Sequence, residues 1–321
     1  MKLAIVAPCY NESEVLLNSV ERLTRLMDDL VAKEKITADS FILLVNDGSR
    51  DNTWELIYQL FKTNHYIYGI NLAANVGHQY AIMAGMMTAK DRSDAVITID
   101  VDLQDDLNAI EKMVDNYANG YDIVYGVKVS RQADPFIKRC LALSFYKLQQ
   151  MMGMKSIYNH ADFRLMSTRA VNQLSHFTER NLYLRGIVPL IGYPSTTVDD
   201  VISLRTAGES KYTFKKMMAL ALDGITSFST KPISLILGVG FVFLLISLVM
   251  TVYVLCSYCK HLTVPGWSSL MLSVWFVGSI VLLSIGVVGQ YIGKIYIEVK
   301  NRPRYNIETF LSDKEEISKL K

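Results

Sequence analysis

Through residues 1–127, short apolar runs alternate with helical stretches. The runs KLAIVAP, FILLVN, YIYGINL, AVITID and YDIVYG are apolar almost without a break, as strands covered on both faces should be. Between them, residues 13–32, 51–63, 78–90 and 108–119 have helix length. Strands alternating with helices predict βαβ units and a mostly parallel sheet.

The second pattern is longer. No charged residue stands between Lys231 and Lys260, or between His261 and Lys294. Each gap exceeds the roughly 20 apolar residues that cross a bilayer core. Two such runs in succession predict a transmembrane hairpin, with spans at about 233–257 and 267–292. Before it, residues 214–228 set Phe214, Met217, Met218, Ala221, Ile225 and Phe228 at helical spacing, with Lys215 and Lys216 off that stripe. Residues 211–231 therefore read as a juxtamembrane segment lying in the interface, an ordinary packed helix being the alternative. Lysines and arginines flank the hairpin at both ends (Lys211, Lys215, Lys216 and Lys231; Lys294, Lys300, Arg302 and Arg304), whereas the connecting loop offers only Lys260. The positive-inside rule places a domain over 1–210 and a tail over 294–321 in the cytosol. The opening apolar run stops at Pro8, too short for a signal peptide. Gly286 and the G-x-x-x-G of Gly289 and Gly293 permit close helix contact. Two spans are few for a lipid path, so a homo-oligomer such as a tetramer is expected, with the polar tail from Asn306 a candidate for exchange between protomers.

Composition trims the alternatives. Hydrophobic residues make up 50% of the 321, high for a purely soluble chain. A net charge of +2 without a basic, aromatic stripe gives no reason to expect nucleic acid. Cys256 and Cys259 form a C-x-x-C with no second pair to complete a metal site. With Cys9 and Cys140 they read as apolar side chains.

The chemistry lies after the strands. PCYNE, NDGSRD, NLAANVGHQ and DVDLQDD follow four successive strands, and ligands of open parallel sheets bind outside the strands' carboxyl ends. Asn11, Asp51 and Asn75 each have a cheaper reading as helix caps. Together the clusters carry more acids and amides than caps require. Asp100 and Asp102, two apart at a strand end, are expected to lean to one face. With Gln104 they offer hard oxygen ligands suited to Mg²⁺ or Mn²⁺. Asp105, Asp106 and Asn108 read as the first turn of the next helix, where the dipole favours negative charge.

PCYNE, VNDGSRDNT, NVGHQYAIMAG, DVDLQD, HADFRLMS and AGESKY, in that order, resemble glycosyltransferase family 2. The resemblance is closest to its polyprenyl-phosphate branch and runs from Ala7 to about Tyr212. It implies a GT-A fold, a nucleotide-sugar donor, a divalent metal, and a polyprenyl phosphate acceptor with inversion at the anomeric carbon. By the same resemblance, Pro8, Tyr10 and Glu12 line the nucleoside pocket and Asp47 meets the base. Asp100, Asp102 and Gln104 hold the metal against the donor diphosphate, over which Arg205 and Lys211 close. Asp162 is the catalytic carboxylate, and Lys128 and Arg131 stand near the acceptor phosphate. Asp106 replaces the proline usual in relatives. Lys128 stands where arginine is common, which puts bidentate phosphate binding there in question.

On the residues alone, Asp162 is equally a cap or an ion-pair partner of Arg164. His78 and His160 read as solvent-facing, a ligand role being the alternative, and Arg180 and Arg185 as either phosphate ligands or partners of Glu179 and other surface acids. The two-span topology resembles that of bacterial relatives using UDP-glucose with undecaprenyl phosphate at the inner membrane. The rival of a different class is a membrane-anchored, non-catalytic sensor of nucleotide sugars or a lipid-transport subunit. A processive synthase is disfavoured by the missing Q-x-x-R-W.

Overall fold

The computed structural model describes residues 1–128, 160–180, 182–201 and 266–312, besides isolated positions within 233–249. Arg131, Arg205, Lys211, the juxtamembrane segment, the C-x-x-C and nearly all of the first predicted span lie outside them. The chain divides into two units.

The first unit opens with β1 (Leu3–Cys9), α1 (Leu16–Ala32), β2 (Phe41–Asn46), α2 (Thr53–Thr63), β3 (Ile67–Leu72), α3 (His78–Ala89), β4 (Ala95–Thr98), α4 (Leu107–Ala118) and β5 (Ile123–Lys128). These match the alternation read from the sequence. Three further strands join the same sheet: β6 (His160–Ser167), β7 (Ser195–Asp200) and β8 (Ile307–Leu311). Between them lie α5 (Thr168–Ser175), α6 (Leu184–Ile187) and a short 3₁₀ turn, Val188–Ile191. The order is β7-β5-β6-β4-β1-β2-β3-β8. β6 runs antiparallel to β4 and β5, and β8 antiparallel to β3. The sheet is thus mixed and mostly parallel.

Both faces are covered. Leu3, Ile5, Ala7 and Cys9 of β1 belong to one core with Leu16, Val20 and Leu23 of α1, Ile57 and Phe61 of α2, and Ile110 and Met113 of α4. The alternate residues face α3, where a Cβ on Gly85 would stand 2.3 Å from Val6 Cγ1 and 2.9 Å from Val45 Cγ2. Branched side chains on rigid central strands have little room to yield. Gly85→Ala is expected to destabilise the unit by about 1–3 kcal/mol, read as a lower thermal midpoint at unchanged substrate affinity.

β8 comes from the segment expected to be a polar cytosolic tail. It lies on the edge of β3, where Asn71 Nδ2 donates to Glu308 Oε2 at 2.7 Å and the Arg92 guanidinium sits 4.9 Å from the Phe310 ring centre. Edge pairing satisfies backbone groups that an isolated polar segment leaves to water.

In the second unit, α7 (Trp267–Lys300) is 34 residues long, about 51 Å at 1.5 Å per residue. Its stretch Phe276–Lys300 is long and apolar enough to cross a membrane, and among the described residues it is the one such helix. Leu282 and Val299 are 71% and 77% exposed. The second predicted span is thus seen as a helix, reaching eight residues past its expected end at 292. The hairpin as a whole is not established.

Candidate active site

The sheet reverses direction of winding at β1, which pairs in parallel with β2 on one side and β4 on the other. Such a switch point opens a crevice outside the carboxyl ends of the two strands. Tyr10–Glu12 and Asp100–Asp102 are the residues that follow those ends.

The loops of this rim are tied to one another more than to the helices they precede. Asn11 Oδ1 accepts from the Arg50 backbone N–H at 2.8 Å, and Asn11 N–H donates to Ser49 Oγ at 3.0 Å. Asn11 therefore does not cap α1, whose N-cap has no side-chain bond. Glu12 N–H donates to Thr53 Oγ1 at 3.0 Å, and Ser13 N–H to Asp51 Oδ2 at 3.2 Å. Pro8 is the penultimate residue of β1, and Tyr10 is 39% exposed at the crevice mouth. Asp47, only 3% exposed, accepts from the backbone N–H groups of Val76 (2.7 Å) and Gly77 (3.0 Å) and from Asn75 Nδ2 (3.1 Å). Burial pushes its carboxyl upward, and those two N–H groups oppose the rise. Asp47 thus fastens the loop after β3, and Asn75 serves Asp47 instead of α3. Gly48 completes the junction: its φ is +61°, and a Cβ there would lie 2.5 Å from Asn75 N.

Asp100 and Asp102 do not lie on a strand. β4 ends at Thr98, Leu103 has a φ of +47°, and Leu103 N–H donates to the Asp100 carbonyl at 3.0 Å. Strand alternation accordingly does not set their directions, a correction to the sequence reading; a tight turn does. Gln104 N–H donates to Asp102 Oδ1 at 3.4 Å, and the buried Gln104 Nε2 has no hydrogen-bond partner. Asp106 caps α4, accepting from Asn108 N–H at 3.0 Å. Asp106→Ala is expected to cost about 1 kcal/mol, measurable as a thermal shift with transfer activity retained.

Asp105 departs from the helix-start reading. It is 4% exposed, with Lys128 Nζ 3.5 Å from its carboxylate, which is where the structure places Lys128. Its carboxyl is pushed up to about 7 by burial first, then by Asp100, with Asp200 adding to the rise and Lys128 opposing it.

Asp162 arrives by antiparallel register. Thr98 pairs with Arg164, so two residues past Thr98 and two before Arg164 bring Asp100 and Asp162 to the same end. Asp162 accepts from Arg164 Nη2 at 2.7 Å and Arg185 Nη2 at 2.9 Å. Arg164, itself 2% exposed, also reaches the Leu184 carbonyl at 3.4 Å. Burial alone would raise the Asp162 carboxyl, yet Arg185 and then Arg164 hold it well below the usual carboxylate range. Asp162 is therefore an ionised anchor and a weak base. The ion pair with Arg164 foreseen in the sequence is present, and Arg185 serves Asp162, not a surface acid.

His78 sits closer to the acids than a merely solvent-facing helix start requires. Its Nε2 lies 3.4 Å from Asp100 Oδ1 and 3.8 Å from Asp162 Oδ2, between the two carboxylates. The neighbouring Gln79 accepts from Leu184 N–H at 2.9 Å, and Tyr80 donates to the Arg180 carbonyl. The first turn of α3 thus braces the loop carrying Arg185. The sequence signal was N-V-G-H, a glycine with φ +95° turning the chain into a helix start on the rim. His160 is buried on β6, its ring edge-on to Tyr125 at 5.5 Å, and does not face solvent.

Among the described residues, no group of three His, Cys, Asp or Glu side chains stands ready to hold a metal. Mg²⁺ needs no such cage, since it takes one or two carboxylates and keeps places for water and substrate phosphate. The Asp100 side chain is 53% exposed, and hard oxygens open to the crevice fit an ion whose shell a diphosphate completes.

Residues 4–175 match the family model for glycosyl transferase family 2. The chain is 47% identical over 318 residues to the uncharacterized glycosyltransferase YkoT of Bacillus subtilis (strain 168), across 99% of this chain and 94% of that protein. It is 36% identical to the SfII prophage-derived bactoprenol glucosyl transferase of Shigella flexneri, across 96% of this chain and 98% of that one. To the prophage bactoprenol glucosyl transferase homolog of Escherichia coli (strain K12) it is 35% identical, across 96% and 99%. The mixed sheet with its switch-point crevice is a GT-A-like α/β fold, and the chain belongs to glycosyl transferase family 2, as an enzyme of that class.

Proposed function

We propose that this enzyme transfers a sugar, with inversion and metal dependence, from a nucleotide-sugar donor to polyprenyl phosphate, undecaprenyl phosphate in particular, on the cytosolic face of the cell membrane. The best donor is UDP-glucose. The observation that carries the reading is the convergence of Asp100, His78 and Asp162 at one end of the crevice, with Asp162 ionised between two arginines. The lipid acceptor is supported by near full-length similarity to bactoprenol glucosyl transferases and by the apolar helix α7.

In this reading Asp100, Asp102 and Gln104 hold Mg²⁺ or Mn²⁺, which supplies positive charge to the leaving diphosphate. Pro8, Tyr10 and Glu12 shape the nucleoside pocket. Asp47 sets the loop beside the base and offers it an acceptor edge. An acceptor phosphate oxygen attacks the anomeric carbon from the face opposite the diphosphate. The new C–O bond forms as the old one breaks, and the nucleoside diphosphate leaves with the bonding pair. A phosphate monoester has a second pKa of about 6, so the nucleophile is already ionised at neutral pH. No strong base is needed, which agrees with the depressed carboxyl of Asp162. Asp162 instead fixes Arg185 and Arg164 at the reacting end, while Arg205 and Lys211 close over the diphosphate and Lys128 and Arg131 receive the acceptor phosphate. A second span, both termini in the cytosol, and a homo-oligomer belong to the same proposal.

Thermal stabilisation in Mn²⁺ tests the donor. UDP-glucose is expected to raise the unfolding midpoint more than UDP-N-acetylglucosamine, GDP-mannose or UDP-aminoarabinose. A larger shift with another donor replaces glucose and leaves the class intact. No shift with any donor contradicts the site.

A further inference from the structure

Behind the rim sit two buried carboxylates, Asp105 and Asp200, that the proposed chemistry does not use. Asp200, the last residue of β7, is fully buried. Its Oδ1 accepts the backbone N–H of Asp106 at 2.8 Å, and its Oδ2 is buried with no hydrogen-bond partner. In the sheet, Asp200 pairs in register with Lys128, whose Nζ is 3.5 Å from Asp105. Two buried carboxylates, Asp105 from the loop after β4 and Asp200 from the end of β7, therefore lie beside one lysine. A buried carboxylate is costly unless it is paired and hydrogen-bonded, and beside Asp200 stand the Asp106 N–H and the Asp105 carboxyl.

What Asp200 touches points to its role. Asp106 is the N-cap of α4 and ends the turn that starts at Asp100. Between them, Leu103 is held at positive φ, a conformation that costs energy for a branched side chain and persists only under external restraint. The hydrogen bond from Asp106 fixes one end of that turn, and the Leu103-to-Asp100 bond fixes the other.

We propose that Asp200 is a positioning residue for the metal-bearing turn, pinning the Asp106 backbone so that Asp102 and Gln104 are held facing the crevice. The inference rests on the reading of Asp100, Asp102 and Gln104 as the metal seat.

The test uses the full chain in detergent, with Mn²⁺ binding followed by the electron paramagnetic signal of the free ion in the presence of UDP. Amide hydrogen exchange over residues 100–108 is followed in parallel. Asp200→Ala is expected to weaken Mn²⁺ binding about tenfold or more, the usual effect of removing a group that orients a ligand, and to speed exchange at Leu103 and Asp106. Asp200→Asn keeps an oxygen for the Asp106 N–H and is expected to stay within about threefold of wild type. A fold-only role lowers the thermal midpoint of Asp200→Ala while leaving Mn²⁺ binding unchanged, and that result overturns the proposal. If Asp200→Ala is unfolded, Asp200→Glu displaces the acceptor without emptying the site, and the same weakening is required of it. Asp102→Ala separates the two levels. If it too binds Mn²⁺ normally, the metal seat itself is misassigned; if it loses binding while the Asp200 variants do not, only the positioning role fails.

Discussion

Asp102→Ala is expected to lower turnover about a thousandfold, the scale of losing one preorganised stabiliser of transition-state charge. Thermal stability should change little, because the turn is anchored in the core by Val101 and Leu103, whereas the Asp102 side chain is only half-buried. Single-turnover rates at saturating donor and Mn²⁺ check it. Retained activity in metal-free buffer would collapse the assignment of Asp100, Asp102 and Gln104.

The second large effect is at Asp162. Asp162→Asn should lose about a hundredfold in turnover, as expected when reacting groups are misplaced by a fraction of a bond length. It should also lose about 3 kcal/mol of stability, because Arg164 is left buried beside a neutral amide. The loss in turnover is smaller than at Asp102 because Asp162 acts through its arginines. The pH dependence follows in sign. A carboxyl held below its unfolded value contributes stability that is fully present above the unfolded pKa near 4 and is lost as pH falls through the folded value. Asp162 therefore stays ionised through the neutral and mildly acidic range, and no limb of the rate profile there belongs to it. An acid limb should keep its position in Asp162→Asn, tracking instead the acceptor phosphate with its pKa of about 6. Disappearance of that limb in the variant would make Asp162 the titrating base.

The five strands and four helices up to Lys128 were legible because a doubly covered parallel strand has a plain signature, an unbroken apolar run. β6 was not: HADFRLMS mixes a buried histidine and arginine into a strand, and only tertiary pairing with Tyr125 and Asp162 makes those residues affordable there. β7, STTVDD, is polar because it lies at the sheet edge, and β8 is drawn in by an unpaired β3 edge from beyond the apolar helix. At the site, the residue types that bear charge were found from the sequence, but their jobs depended on distances it does not carry. Asp47, expected to meet a base, also accepts from three donors of the loop after β3. Asp105 looked like a helix start and faces Lys128. His78 is exposed, as read, and also stands between Asp100 and Asp162.

The central claim is transfer of a sugar onto a lipid phosphate, and the most direct measurement is incorporation of label from radiolabelled UDP-glucose into undecaprenyl phosphate by the purified chain in Mn²⁺. The account predicts label in the organic phase, dependent on both metal and lipid and abolished to background in Asp102→Ala. Absence of lipid-bound label with every nucleotide sugar, while the donor still binds, would contradict it and favour a non-catalytic sensor.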